Sequence, residues 1–117
     1  MLLQIRHETT YHYEPAPKDL ALCLRLFPQN TAQQSVVDWR VVVNDEPISP
    51  LLVTGLGEAQ ALWFNRRASD TVRVVAEGKV ETTDQAGVLG KHSGYRAGIF
   101  LRETPLTEAG EAVAALC

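Results

Sequence analysis

Cysteine is nearly missing from this chain: among 117 residues there are only Cys23 and Cys117. A small secreted domain stapled by disulfides carries more of them at regular spacing, so that class is excluded. An excess of basic residues is missing too. The formal charge is −3, and the only basic cluster, Arg66-Arg67, is too short to follow a phosphate backbone. Residues 1–58 hold four basic and seven acidic side chains and residues 59–117 hold seven of each, so neither half is a nucleic-acid-binding tail. No apolar run is long enough to cross a membrane. Met1-Leu2-Leu3-Gln4 leads straight into charged residues, which is not the pattern of a secretory signal. Internal repeats and low-complexity tracts are lacking. The expectation is a soluble protein of a reducing compartment, the cytoplasm. What is present suits one globular domain with a real core, since 45% of residues are hydrophobic and 21% charged.

The patterning is β, in short pieces. Residues 2–13 alternate, with Leu3, Ile5, His7, Thr9, Tyr11 and Tyr13 on one face and Gln4, Arg6, Glu8, Thr10 and His12 on the other. A period of two with one polar face predicts a half-buried antiparallel strand, with the His/Tyr face packed inward. The prolines of Glu14-Pro15-Ala16-Pro17 cannot donate ladder hydrogen bonds and predict a turn. Residues 19–27 set Leu20, Leu22, Leu24 and Leu26 against Ala21, Cys23, Arg25 and Phe27, and Pro28 ends the run. Residues 35–44 carry Val37, Trp39, Val41 and Val43 on one face, with Val36 and Val42 making the second face partly apolar. Asn44-Asp45-Glu46-Pro47 predicts a turn. A weaker edge strand is expected over 48–54, interrupted by Pro50, then a Gly55-Leu56-Gly57 turn and a short strand over 61–64. Residues 70–82 complete the set, with Val72, Val74, Ala76 and Val80 inward and Gly78 as the place for a bulge. The fold class expected is an antiparallel β-sandwich of six to seven strands, with a small barrel as the alternative.

After Thr83 the periodicity stops. Residues 84–98 contain Gly87, Gly90, Gly94 and Gly98 and read as a linker, so the chain divides into a sandwich at 1–83 and a linker segment at 84–117. Ile99-Phe100-Leu101 reads as a short extended anchor. A C-terminal helix is expected after Pro105, with Thr107 as N-cap, Glu108 in the first turn, and Ala109, Ala112, Val113 and Leu116 on one face. That stripe, with no stop signal after it, is expected to pack on a further domain or to pair two copies of the chain.

No constellation for chemistry emerges. Cysteine catalysis needs a thiolate, a histidine within reach and a group that orients it. Cys23, between leucines, reads as a small core hydrophobe, and Cys117 as a chain end too loose to position a nucleophile. His7 and His12 are five apart and so point to opposite faces of a strand, while His92 lies in the glycine-rich stretch. None of these has the spacing of a zinc site. Gly55-x-Gly57 precedes a strand and lacks the third glycine of a nucleotide loop. Glu77 and Glu81 share one side of a strand, as surface carboxylates commonly do. Trp39 and Trp63 have the residue type of a sugar platform, but their apolar neighbours favour core packing. Catalytic, cofactor-binding and metal-binding residues are therefore read as none.

Several segments resemble, in order, the N-terminal region of bacterial transglutaminase-like proteins. His7-Glu8-Thr9-Thr10-Tyr11-His12-Tyr13 with Glu14-Pro15 is similar to its opening strand, and Leu24-Arg25-Leu26-Phe27-Pro28 leading to Gln33-Gln34 to its second. Asp38-Trp39-Arg40-Val41-Val42-Val43 with Pro47 resembles the third, and Trp63-Phe64 and residues 72–81 the later ones. Phe100-Leu101-Arg102-Glu103-Thr104-Pro105-Leu106-Thr107 resembles the lead into the catalytic core. The sequence departs at Gly55-Leu56-Gly57-Glu58-Ala59, where members often have an aromatic-Gly-Asn turn, and at Gln29, often basic in the family. The family's cysteine, histidine and aspartate motifs find no counterpart. The resemblance implies a non-catalytic β-sandwich that packs on, or walls the cleft of, a transglutaminase-like core in the same parent chain. It implies a parent that forms a thioester and passes the acyl group to water or an amine, as a protease, amidase or transglutaminase. A stand-alone binding module for protein or glycan is the alternative.

Overall fold

The computed structural model describes residues 1–55, 57–86 and 97–115, and over these seven strands form two antiparallel sheets. The first sheet holds β1 (Leu2–His12), β7 (Thr71–Thr82), β3 (Gln34–Val43) and β4 (Glu46–Ile48), in that order. The second holds β2 (Leu20–Phe27), β6 (Ala59–Asn65) and β5 (Leu52–Val53). The strands expected from alternation are present. The weak strand over 48–54 is two separate ones, β4 and β5, on either side of Pro50.

The β3–β4 hairpin explains that split. Asn44 and Asp45 have φ of 46° and 66°, the paired positive values of a two-residue type I′ turn, which asparagine and aspartate tolerate. Val43 therefore faces Glu46, and Pro47 pairs with Val42 inside β4 rather than in the turn. A proline is acceptable there because β4 is an edge.

The core lies between the sheets. Val41, Val43, Val72, Val74 and Ala76 meet Leu24, Ala61 and Trp63, with Leu20, Leu22, Leu26, Phe27, Trp39 and Ile48 around them. Val72, Val74, Ala76 and Val80 are buried as expected. Both tryptophans tie one sheet to the other. Trp39 in β3 donates its indole N–H to the Leu26 carbonyl of β2 (2.7 Å), and Trp63 in β6 donates to Glu46 Oε2 of β4 (3.1 Å). A buried indole needs such a partner, and here each partner belongs to the opposite layer.

Several expectations are corrected. Val37 does not share the inner face of Trp39, Val41 and Val43. The ladder runs Val36↔Val80 and then Asp38↔Lys79, so Val37 is an extra residue, and it is 58% exposed. The bulge thus sits in β3, not at Gly78. Gly78 serves it from across the ladder: a Cβ there would overlap the Asp38 carbonyl and come within 2.8 Å of Trp39 Cα. The His/Tyr face of β1 is turned toward the second sheet but is only partly covered: Tyr13 packs against the core and Thr9 is half-buried, whereas Tyr11 and His7 are left in water. Tyr11 is 45% exposed and stacks on Tyr13 at 6.4 Å, and His7 is exposed. The physical reason is that β1 is the outer edge of the wider sheet.

Past β7, Ala97–Ile99 form a 3-10 turn rather than an extended anchor. The described helix, α1, is only Glu111–Ala114 and is capped by the backbone of Gly110. Thr107 instead closes a turn with Thr104, whose N–H donates to Thr107 Oγ1 (3.0 Å). Ala112 and Val113 are exposed, as are Phe100, Leu101 and Leu106. The glycine-rich stretch over 87–96, with His92, lies outside the described residues, as do Leu56, Leu116 and Cys117.

Candidate functional site

The residues singled out from sequence do not come together. Cys23 is exposed on the outer face of β2, where it pairs across the ladder with Leu62. It is not a core cysteine, because Leu22 and Leu24 take the inward positions. Its thiol lies 3.8 Å from the Gln60 amide. His7 and His12 both belong to β1, in the other sheet. His7 Nε2 is 3.3 Å from Thr9 Oγ1, and His12 Nδ1 is 3.4 Å from Thr71 Oγ1. Among the described residues no three His, Cys, Asp or Glu side chains converge as metal ligands. No described helix is long and apolar enough to cross a membrane. Trp63 is buried and Trp39 half-buried, and both indole N–H groups are committed between the sheets, so they offer no sugar platform.

Two surfaces stand out instead. The outer face of the β1-β7-β3 sheet carries a continuous charge lattice. Arg6 Nη1 donates to Glu77 Oε2 (2.5 Å) and its Nη2 to Glu8 Oε2 (2.7 Å). Arg73 holds Glu8 through Nε (2.6 Å) and Nη2 (3.0 Å), and Arg40 Nε holds Glu77 (2.6 Å). Lys79–Asp38 and Arg73–Asp45 extend it at 3.7 Å each. Glu77 is therefore a counter-ion between two arginines, not half of an acid pair with Glu81. A groove of about 400 Å³ runs beside it, lined by Gln4, Arg6, Asp38, Arg40, Gly78 and Lys79. Val75, between Glu8 and Val42 in register, is buried on this charged face.

The lattice holds both carboxyls below their ordinary range. For Glu77 the main cause is the hydrogen bond from Arg40, then that from Arg6, with desolvation opposing. For Glu8 it is the hydrogen bond from Arg73. A carboxyl whose folded pKa lies below its unfolded value adds stability that is complete above the unfolded value, about 4.3 for glutamate. That stability is lost as pH falls through the folded value. The urea midpoint is thus expected to hold from neutral pH to about 5 and to fall below about 4. The Glu77→Gln variant should show a shallower acid loss, and high salt should flatten both curves. Equal acid losses in the two proteins would remove Glu77 from this role.

The second surface is apolar. On the outer face of the β2-β6-β5 sheet Ala21 pairs with Phe64, Cys23 with Leu62, and Leu52 with Gln60. Phe64 is 65% exposed, and Leu62 and Leu52 are exposed beside it. The strip is rimmed by the Arg25–Glu58 pair. Sequence reading missed both surfaces. The alternation of Arg6 with Glu8, and of Leu62 with Phe64, was visible, but which residues become neighbours depends on strand pairing.

Comparison with curated proteins and with solved structures found no match. Residues 3–81 match the family described as the bacterial transglutaminase-like N-terminal region. The matched stretch opens in β1 and closes in β7, so it takes in every strand of both sheets. On that match, this chain belongs to the bacterial transglutaminase-like N-terminal region family.

Proposed function

We propose that this domain is the non-catalytic N-terminal unit of a transglutaminase-like cysteine enzyme of the cytoplasm, and that it packs on, or walls the cleft of, the catalytic core in the same parent chain. The parent is a protease, amidase or acyl transferase whose core cysteine forms a thioester and passes the acyl group to water or an amine. The observation that carries this reading is the family match over 3–81. The outer strip of Leu52, Leu62 and Phe64 supports it as the face toward the core, because exposed apolar side chains held on a rigid sheet suit a domain interface. Cys23 as a free, exposed thiol fits a reducing compartment. Among the described residues its one side-chain hydrogen-bond partner is Gln60, and catalysis by a thiol requires both a base and its orientation.

The chain alone, given glutamine donors and amine acceptors, is expected to show no turnover above blank. Titrated with the separately produced core of its parent, it should bind, and Phe64→Ser should weaken that binding about tenfold, as loss of a buried aromatic anchor does. Turnover that vanishes in Cys23→Ala would overturn the non-catalytic reading. Equal affinity of Phe64→Ser and the unaltered chain would move the core to another face.

A further inference from the structure

Among the described residues there are four sheet edges, β1, β4, β2 and β5. Three of them are blunted in the ways that stop strands from adding. β4 has three residues and contains Pro47, β5 has two, and β2 has a register irregularity between Leu24 and Phe27. β1 is different. It is 11 residues long, contains no proline, and keeps an unbroken register with β7 from Leu2↔Glu81 to His12↔Thr71. Among the described residues its backbone partners come from β7 alone.

The orientation of its free groups is fixed. Tyr13 N–H donates to the Asp70 carbonyl and the Met1 carbonyl accepts from Thr82, so odd-numbered residues point their backbone groups at β7. By alternation, the N–H and C=O groups of Leu2, Gln4, Arg6, Glu8, Thr10 and His12 point outward.

We propose that this edge pairs with the same edge of a second copy of the chain, antiparallel about a two-fold axis at His7, so that two four-stranded sheets become one. Only this register pairs the whole strand, Leu2 against His12 of the copy. It matches outward-pointing residues with outward-pointing residues, as an antiparallel ladder requires. The same register sets Arg6 across from the copy's Glu8, and Glu8 across from its Arg6. Directly opposed unlike charges attract, whereas an edge guarded against its own kind carries like charges. On the other face Leu3 meets Tyr11, which adds an apolar neighbour to the exposed Tyr11 beside the Tyr13 ring on which it stacks. The interface is isologous and closes at two copies. It leaves the β2-β6-β5 face free, so it does not rest on the function proposed above.

Two measurements on the full chain test this. Light scattering or sedimentation should give twice the 12.9 kDa of one chain at high concentration, falling to a single mass on dilution. Thr10→Pro removes an N–H from the free edge and none from the β7 ladder, so the variant should keep its β-sheet spectrum and stay monomeric. Hydrogen exchange on the unaltered chain does not depend on that variant folding. The amides of Gln4, Arg6, Glu8 and Thr10 should be protected at high concentration and open on dilution, while those of Ile5, His7 and Thr9 stay protected throughout. A single mass at the highest soluble concentration overturns the proposal. So does a dimer that survives Thr10→Pro, or one that leaves the four outward amides open. A monomer in which those four are protected gives the edge to another segment of the same chain, and the proposal falls again.

Discussion

Replacing Trp63 with alanine is expected to lower the stability of the fold by about 4 kcal/mol, since large aromatic truncations in a core cost roughly 3–5 kcal/mol. Trp63 is 6% exposed and belongs to the cluster shared by both sheets. Its removal opens a cavity where the two layers meet and deletes the indole bond to Glu46. The cavity dominates, because the Glu46 side chain can return to water. Domains of this size have only about 5–15 kcal/mol in total, so the variant should be largely unfolded at moderate urea. Tyr11→Ala provides the contrast. The same kind of truncation at a 45% exposed edge position should cost about 1 kcal/mol or less, in the range of surface changes. Urea midpoints that coincide for Trp63→Ala and Tyr11→Ala would mean that the core is not where the sheets meet.

Gly78→Ala should destabilise by about 3 kcal/mol, toward the upper end for overpacking that displaces backbone. The sign is the informative part. Glycine inside an ordinary strand is worse than alanine by about 0.5–1 kcal/mol, so elsewhere this change would help. At Gly78 the added methyl meets main-chain atoms of Asp38 and Trp39, which cannot rotate away as a side chain would. The adjacent β3 bulge brings them that close, and giving way would pull Trp39 off the Leu26 carbonyl. Gly55→Ala is the matched control, since a Cβ there meets nothing within 4 Å. Chemical denaturation of both variants checks this. A stabilised Gly78→Ala protein would be incompatible with the close approach.

Much of the sandwich was legible because alternation reports which residues share a face. Val72, Val74, Ala76 and Val80 are inward as expected on that basis, and the alternation grouped Leu20, Leu22, Leu24 and Leu26, all of which pack at the core. What alternation cannot report is whether a face is covered. Tyr11 and Val74 lie on the same face of their sheet, yet Val74 is core and Tyr11 is half in water, because coverage is decided by the width of the opposing sheet. The bulge escaped for a related reason. Val36-Val37 is a run of two equal residues, and either can face inward until β7 fixes the register. Cys23 was misplaced because its flanking leucines pull the local average toward the core while its own parity points out. The helix after Pro105 was overextended, since a stripe of alanines with one valine and one leucine buries too little to hold a helix without a partner. The family itself was visible in the order of its motifs. The lattice of Arg6, Glu8, Arg73, Glu77 and Arg40 was not, because its members come from three strands.

The pairing of β1 with β7 also sets a clock. Within this domain β1 is made at least 59 residues before its ladder partner, and among the described residues no other strand of its sheet is hydrogen-bonded to it. At about 5–20 residues per second, Leu2–His12 stays without its partner for several seconds while the rest of the domain is made. Closing that loop is an entropic toll on the folding rate, since non-local pairings are slow. During that wait the alternating charges Arg6 and Glu8 and the polar Gln4, Thr9 and Thr10 keep the nascent strand soluble, a duty that begins before there is a fold for them to stabilise.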